Sequence, residues 1–106
     1  MVTIDRDRWN WKIINKHPAL IGNEQCVVTC LQDPLYVMDD VDRPGTVECF
    51  YRPFTLPEPF HRTYLKVVVE YSAHPATGTI QGRVLTAYST NDIKQGETQR
   101  WPTENS

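Results

Sequence analysis

The chain has 106 residues and a mass of 12.3 kDa, with 11 Lys+Arg against 13 Asp+Glu and a formal net charge of −2. That length predicts one domain over residues 1–106 and excludes a two-domain enzyme. At 40% hydrophobic and 23% charged the composition is globular, and no apolar run approaches the ~20 residues that span a bilayer.

The charged opening, Met1 to Arg8, lacks the apolar stretch of a secretory signal, so the expected location is cytoplasmic with no membrane partner. A protein that coats nucleic acid non-specifically carries a basic excess, because its affinity comes from displaced counterions. This chain has none, so any contact with a phosphate backbone must come from a few cations gathered on one face. The acids cluster between Asp33 and Glu48. Three cysteines, Cys26, Cys30 and Cys49, make an odd count that argues for reduced, buried thiols. With no CxxC and no second pair at ligand spacing, neither a metal nor another cofactor is expected.

In chain order, the spacing of Trp9, Ile13 and Ile14 predicts a helix from Asp5 to Lys16, with Asp5 and Asp7 suited to its N-terminus. Pro18 interrupts it and places His17 at a junction. A second helix is expected from Pro18 to Leu31, presenting Leu20, Val27, Cys30 and Leu31 to a core; Asp33-Pro34 closes it. The period then changes to two. Strands are expected at 35–41, 46–54, 64–72 and 79–90, with a turn at Arg43-Pro-Gly45, a proline-rich loop at 53–59 and a kink near Gly82. The remainder reads as a polar tail, most clearly from about residue 95, and Trp9, Trp11 and Trp101 as packing residues. The expected fold class is α+β, with two N-terminal helices packed on one face of a four-stranded antiparallel sheet.

Alternation sorts the strands into faces. Leu65, Val67, Val69 and Tyr71 form an apolar row for the helices, which turns Lys66 to the open face. Placing Leu85 and Ala87 inside leaves Val84, Thr86 and Tyr88 beside Lys66. Placing Val47 and Cys49 inside sends Arg52 there too. Two cations, a hydroxyl and a phenol on one face suit a phosphodiester, whose non-bridging oxygens gain charge during cleavage. A solvated sheet face carries the same residue types for solubility alone.

Four segments carry a resemblance: Trp11-Lys-Ile-Ile-Asn-Lys-His17-Pro18, Phe50-Tyr51-Arg52, Tyr64-Leu-Lys66-Val-Val-Val, and Arg83-Val-Leu-Thr86-Ala87-Tyr88-Ser-Thr-Asn-Asp-Ile-Lys94-Gln-Gly96-Glu97. In this order, over most of the chain, they resemble the phage-associated barnase–EndoU–colicin–RelE-like (PBECR) nuclease domains. The last block is the most specific. The resemblance implies a BECR fold and a small metal-independent endoribonuclease, toxin- or phage-effector-like, acting on an RNA substrate and open to an antitoxin or immunity protein as partner. It implies a catalytic set of His17, Arg52, Lys66, Thr86 and Tyr88, with Tyr51 and Arg83 binding RNA. Ala19 stands where the family often has an acidic residue after His-Pro, so that carboxylate is missing here.

In such an enzyme His17, with an ordinary pKa of ~6.5, is the acid–base candidate for the ribose 2′-OH. Arg52 and Lys66 would hold non-bridging oxygens. Thr86 and Tyr88 would donate hydrogen bonds, Tyr88 also offering a stacking surface. His61 and His74 lie in proline-containing loops, and nothing in their spacing favours a second catalytic histidine. The alternative is a catalytically inactive module that binds RNA or a protein through the same face.

Overall fold

In the computed structural model, which describes residues 2–17 and 20–102, Asp5 starts the first helical segment by accepting a hydrogen bond from the Arg8 amide at 3.1 Å. Strand β1 (Val2–Thr3) precedes it. The helical path comprises α1 (Arg6–Arg8), a wide π-helical stretch (Trp9–Ile13) and α2 (Ile14–Lys16). The Ile14 amide reaches back to the Trp9 carbonyl, one residue further than in an α-helix. After it, α3 (Glu24–Gln32) is the one α-helix of ordinary length among the described residues. Pro18 and Ala19, where the sequence places the start of a second helix, lie outside the described residues, as does the Trp11 side chain.

Five further strands follow: β2 (Tyr36–Asp39), β3 (Val47–Pro53), β4 (Tyr64–Ala73), β5 (Ile80–Thr90) and β6 (Thr98–Trp101). They form one six-stranded sheet in the order β1-β5-β4-β3-β2-β6, with β1 parallel to β5 and the other pairs antiparallel. The sequence-based architecture is thereby corrected. The sheet has six strands and is mixed, and the helical part is one short α-helix plus a broken N-terminal segment. β1 is too short to show a period. β6, Thr-Gln-Arg-Trp, has the polar character of an edge strand and reads as tail until it pairs with β2.

The main core lies between the helical segments and one sheet face. It joins Trp9, Ile13, Leu20, Val27 and Cys30 to Leu65, Val67, Val69, Val84 and Ala87, with Leu56 from the proline-rich loop. Val84 and Ala87 share a face despite their odd spacing because the β4–β5 register shifts. Val68 pairs with Thr86 and Val69 with Val84, which leaves Leu85 as the extra residue of a bulge. The Arg8 guanidinium donates to the freed Leu85 carbonyl at 3.2 Å. The expected sides of Val84 and Leu85 are therefore wrong, while Thr86 and Tyr88 do stand on the face of Lys66.

The far face is not bare. Met38, Cys49 and Tyr51 are buried there among Tyr36, Tyr64, Val68 and Ile93. The chain after β5 folds back over this second cluster, bringing Ile93, the Lys94 amide and Glu97 onto it. Among the described residues no helix is long and apolar enough to cross a membrane.

Candidate functional site

Directly paired residues on neighbouring strands point to the same side of a sheet. Lys66, at the middle of β4, pairs with Tyr51 on β3 and Tyr88 on β5. The next row on that face is Cys49, Val68 and Thr86. Lys66 is therefore flanked by two phenol rings, its ammonium 5.3 Å from the Tyr51 ring centre and 5.6 Å from that of Tyr88.

Its charge is answered from outside the sheet. The ammonium donates to Glu97 Oε2 at 2.8 Å, and the two side chains are 4% and 0% exposed. The Tyr51 hydroxyl donates to Glu97 Oε1 and accepts the Lys94 amide at 3.4 Å, while Tyr64 meets the Tyr51 ring edge-on at 5.9 Å. A glycine in the left-handed region, Gly96 at φ +95°, turns the chain immediately before Glu97. Burial alone would pull Lys66 down, but the hydrogen bonds it donates to Glu97 and Tyr51 more than reverse it, so the ammonium is held firmly charged. Burial, reinforced by the bond to Glu97, pushes the Tyr51 phenol up.

His17 reaches this network through Tyr88. At the end of α2 its backbone leaves helical geometry (φ −131°, ψ 73°), and its ring stacks on Tyr88 at 5.2 Å between centres, 28° from parallel. Burial, with Lys16 adding repulsion, holds the imidazole below its ordinary value. The first and last blocks of the sequence pattern thus meet at Tyr88, which shares its sheet face with Lys66 and Thr86.

Arg52 does not join them. It pairs with Leu65, so it points to the helical side, where its guanidinium donates to the Asp33 carbonyl at 3.0 Å and the Asp33 carboxylate at 3.2 Å. Its Nε is buried without a hydrogen-bond partner among the described residues. The expected side of β3 fails because the face of Lys66, read as open, is itself covered and takes the apolar side chains of this strand. Phe50 packs toward the helices, whereas Cys49 and Tyr51 pack beside Lys66. Tyr51, fully buried, offers no surface to RNA. Arg83 is half exposed higher on β5, where it and Arg43 both bind Glu70, at 3.1 and 2.7 Å. His61 and His74 serve their loops: the first is held on the Leu56 carbonyl at 3.0 Å, and the second accepts the Ala76 amide at 3.1 Å.

Glu97 is the residue that sequence reasoning missed, although the last motif block ends on it. The available signal was Lys66 itself. A lysine among valines at the centre of a strand needs an opposite charge, and Glu97 follows a glycine able to turn the chain back.

Asp40, Cys49 and Glu97 also bring ligand-type atoms within 4.8 Å of one another. Both Glu97 oxygens are taken by Tyr51 and Lys66. Burial pushes the Cys49 thiol up to about 12, which keeps it protonated. The trio fits a proton-holding, lysine-neutralised cluster better than a cation site. Compared with known proteins, the chain matches no protein-family model, no curated protein and no solved structure.

Proposed function

We propose that this protein is a small metal-independent endoribonuclease of the toxin or phage-effector kind. The observation that carries the reading is the stacking of His17 on Tyr88, beside Thr86 and Lys66. It joins the two ends of the PBECR-like pattern at one point. An imidazole with a lowered pKa is neutral at pH 7 and accepts a proton.

In the proposed reaction His17 takes the proton of the ribose 2′-OH. The 2′ oxygen attacks the adjacent phosphorus while the hydroxyls of Thr86 and Tyr88 donate to its non-bridging oxygens. The P–O5′ bond breaks and the 5′ oxygen takes a proton from water. The products are a 2′,3′-cyclic phosphate end and a 5′-hydroxyl end. Lys66, sealed beneath, acts by holding the Tyr88 ring and does not touch the phosphate. Arg52, turned to the other side, is left out of the set. An antitoxin or immunity protein covering this face belongs to the same proposal.

A second reading is favoured by one observation: both expected phosphate-binding cations are already ion-paired, Lys66 with Glu97 and Arg52 with Asp33. It makes the protein a non-cleaving module that binds RNA or a protein partner. Labelled tRNA or total RNA incubated in EDTA decides between them. Cleavage that survives chelation and falls by about 10²–10⁴-fold in His17→Ala supports the enzyme. RNA retained intact at low salt and released at high salt supports the binding module. RNA neither cut nor held removes nucleic acid from both readings.

A further inference from the structure

Glu97 takes no part in the chemistry above, yet its carboxylate is fully enclosed and joins three neighbours: Lys66, Tyr51 and the Cys49 thiol. Its partner ammonium lies 5.6 Å from the centre of the ring on which His17 stacks at 5.2 Å. The described groups facing the imidazole are few. Lys16 lies on its own helix and Tyr88 on β5; next to that ring stand Lys66 from β4 and, bound to it, Glu97 from the returning segment.

We infer that Glu97 is a positioning residue for His17: by holding and neutralising Lys66 beside Tyr88, it fixes the stacking ring and cancels the ammonium's field at the imidazole. Its importance for cleavage rests on the endoribonuclease reading, whereas its effect on His17 does not. Without Glu97 a bare positive charge would stand within about 11 Å of the imidazole in partly buried surroundings, enough to move a titration by about one pH unit. A carboxylate that only filled space would alter stability and leave that titration in place.

The test is an NMR titration of the His17 ring in the full chain, read in wild type, Glu97→Gln, Lys66→Met and the double variant, each confirmed folded by its amide spectrum. Glu97→Gln is expected to lower the midpoint by about one pH unit. Lys66→Met is expected to raise it, and the double variant to return it toward wild type. Should Glu97→Gln not fold, Lys66→Met carries the test. An unmoved midpoint in the folded single variants overturns the inference, as does a double variant that keeps a single variant's shift. RNA cleavage by the same proteins is expected to move its acidic limb with the His17 midpoint. If wild type cuts no RNA while His17 shifts as described, the ribonuclease reading falls and the role of Glu97 stands. If wild type cuts RNA while the His17 midpoint stays fixed in the variants, the role of Glu97 falls and the ribonuclease reading stands.

Discussion

Replacing Lys66 with Met leaves a carboxylate with 0% exposure and no cation beside it. The ion pair itself contributes little net stability, because removing two charges from water offsets most of their attraction. Breaking it from one side costs about 3–5 kcal/mol, since the remaining charge stays buried. Domains of this size are stable by about 5–15 kcal/mol, so a large share is lost. The melting midpoint is expected to fall by roughly 15–30 °C. A double variant, Lys66→Met with Glu97→Leu, replaces the pair by apolar chains and is expected to recover most of the loss. Urea denaturation of the four proteins, with midpoint and slope compared, measures both the single costs and their coupling. A single-variant cost below about 1 kcal/mol, as for an exposed surface pair, refutes the enclosed geometry of Lys66 and Glu97. The pH sense is also fixed. The folded state raises the Lys66 pKa above its ordinary 10.5, so the contribution of its protonation is complete at neutral pH and is lost as pH rises into the strongly alkaline range.

Further outcomes follow from the same geometry. Gly82→Ala places a Cβ 2.9 Å from both Tyr71 and Val2 and 3.0 Å from Val69, and is expected to cost about 1–3 kcal/mol in denaturant melts. Burial raises the Cys30 and Cys49 thiols to about 12, so a thiol reagent at neutral pH is expected to label half-buried Cys26 in the native protein and the other two only on unfolding. Arg52→Ala removes a partly exposed pair with Asp33; a stability loss of up to about 1 kcal/mol is expected, and any RNA cleavage should persist. The folded His17 pKa lies below its ordinary 6.5, so the unfolded chain takes that proton first. Stability is therefore expected to fall as pH drops through that region, and His17→Ala to flatten this part of a melting-point profile against pH.

Local pattern carried much of this molecule. Asp5 at a helix start, the valine-rich β4 with Lys66 turned from the helices, and the shared face of Lys66, Thr86 and Tyr88 are all consequences of short-range preference and a two-residue period. The period does not choose a side where both faces of the sheet are covered, as for β3, whose apolar row of Cys49 and Tyr51 lies on the face of Lys66. Only pairing with Lys66 settles that Tyr51 faces it and Arg52 does not. The period itself fails at Leu85, where one extra residue reverses the sides on either part of a strand. The edge strands β1 and β6, and the return of Glu97 onto the sheet, depend on contacts between residues far apart in the chain. No local preference encodes those: β1 and β6 are set by pairing with β5 and β2, and the return is set by packing Ile93 against the second cluster, with Glu97 answering a charge that burial of Lys66 would otherwise leave unpaired.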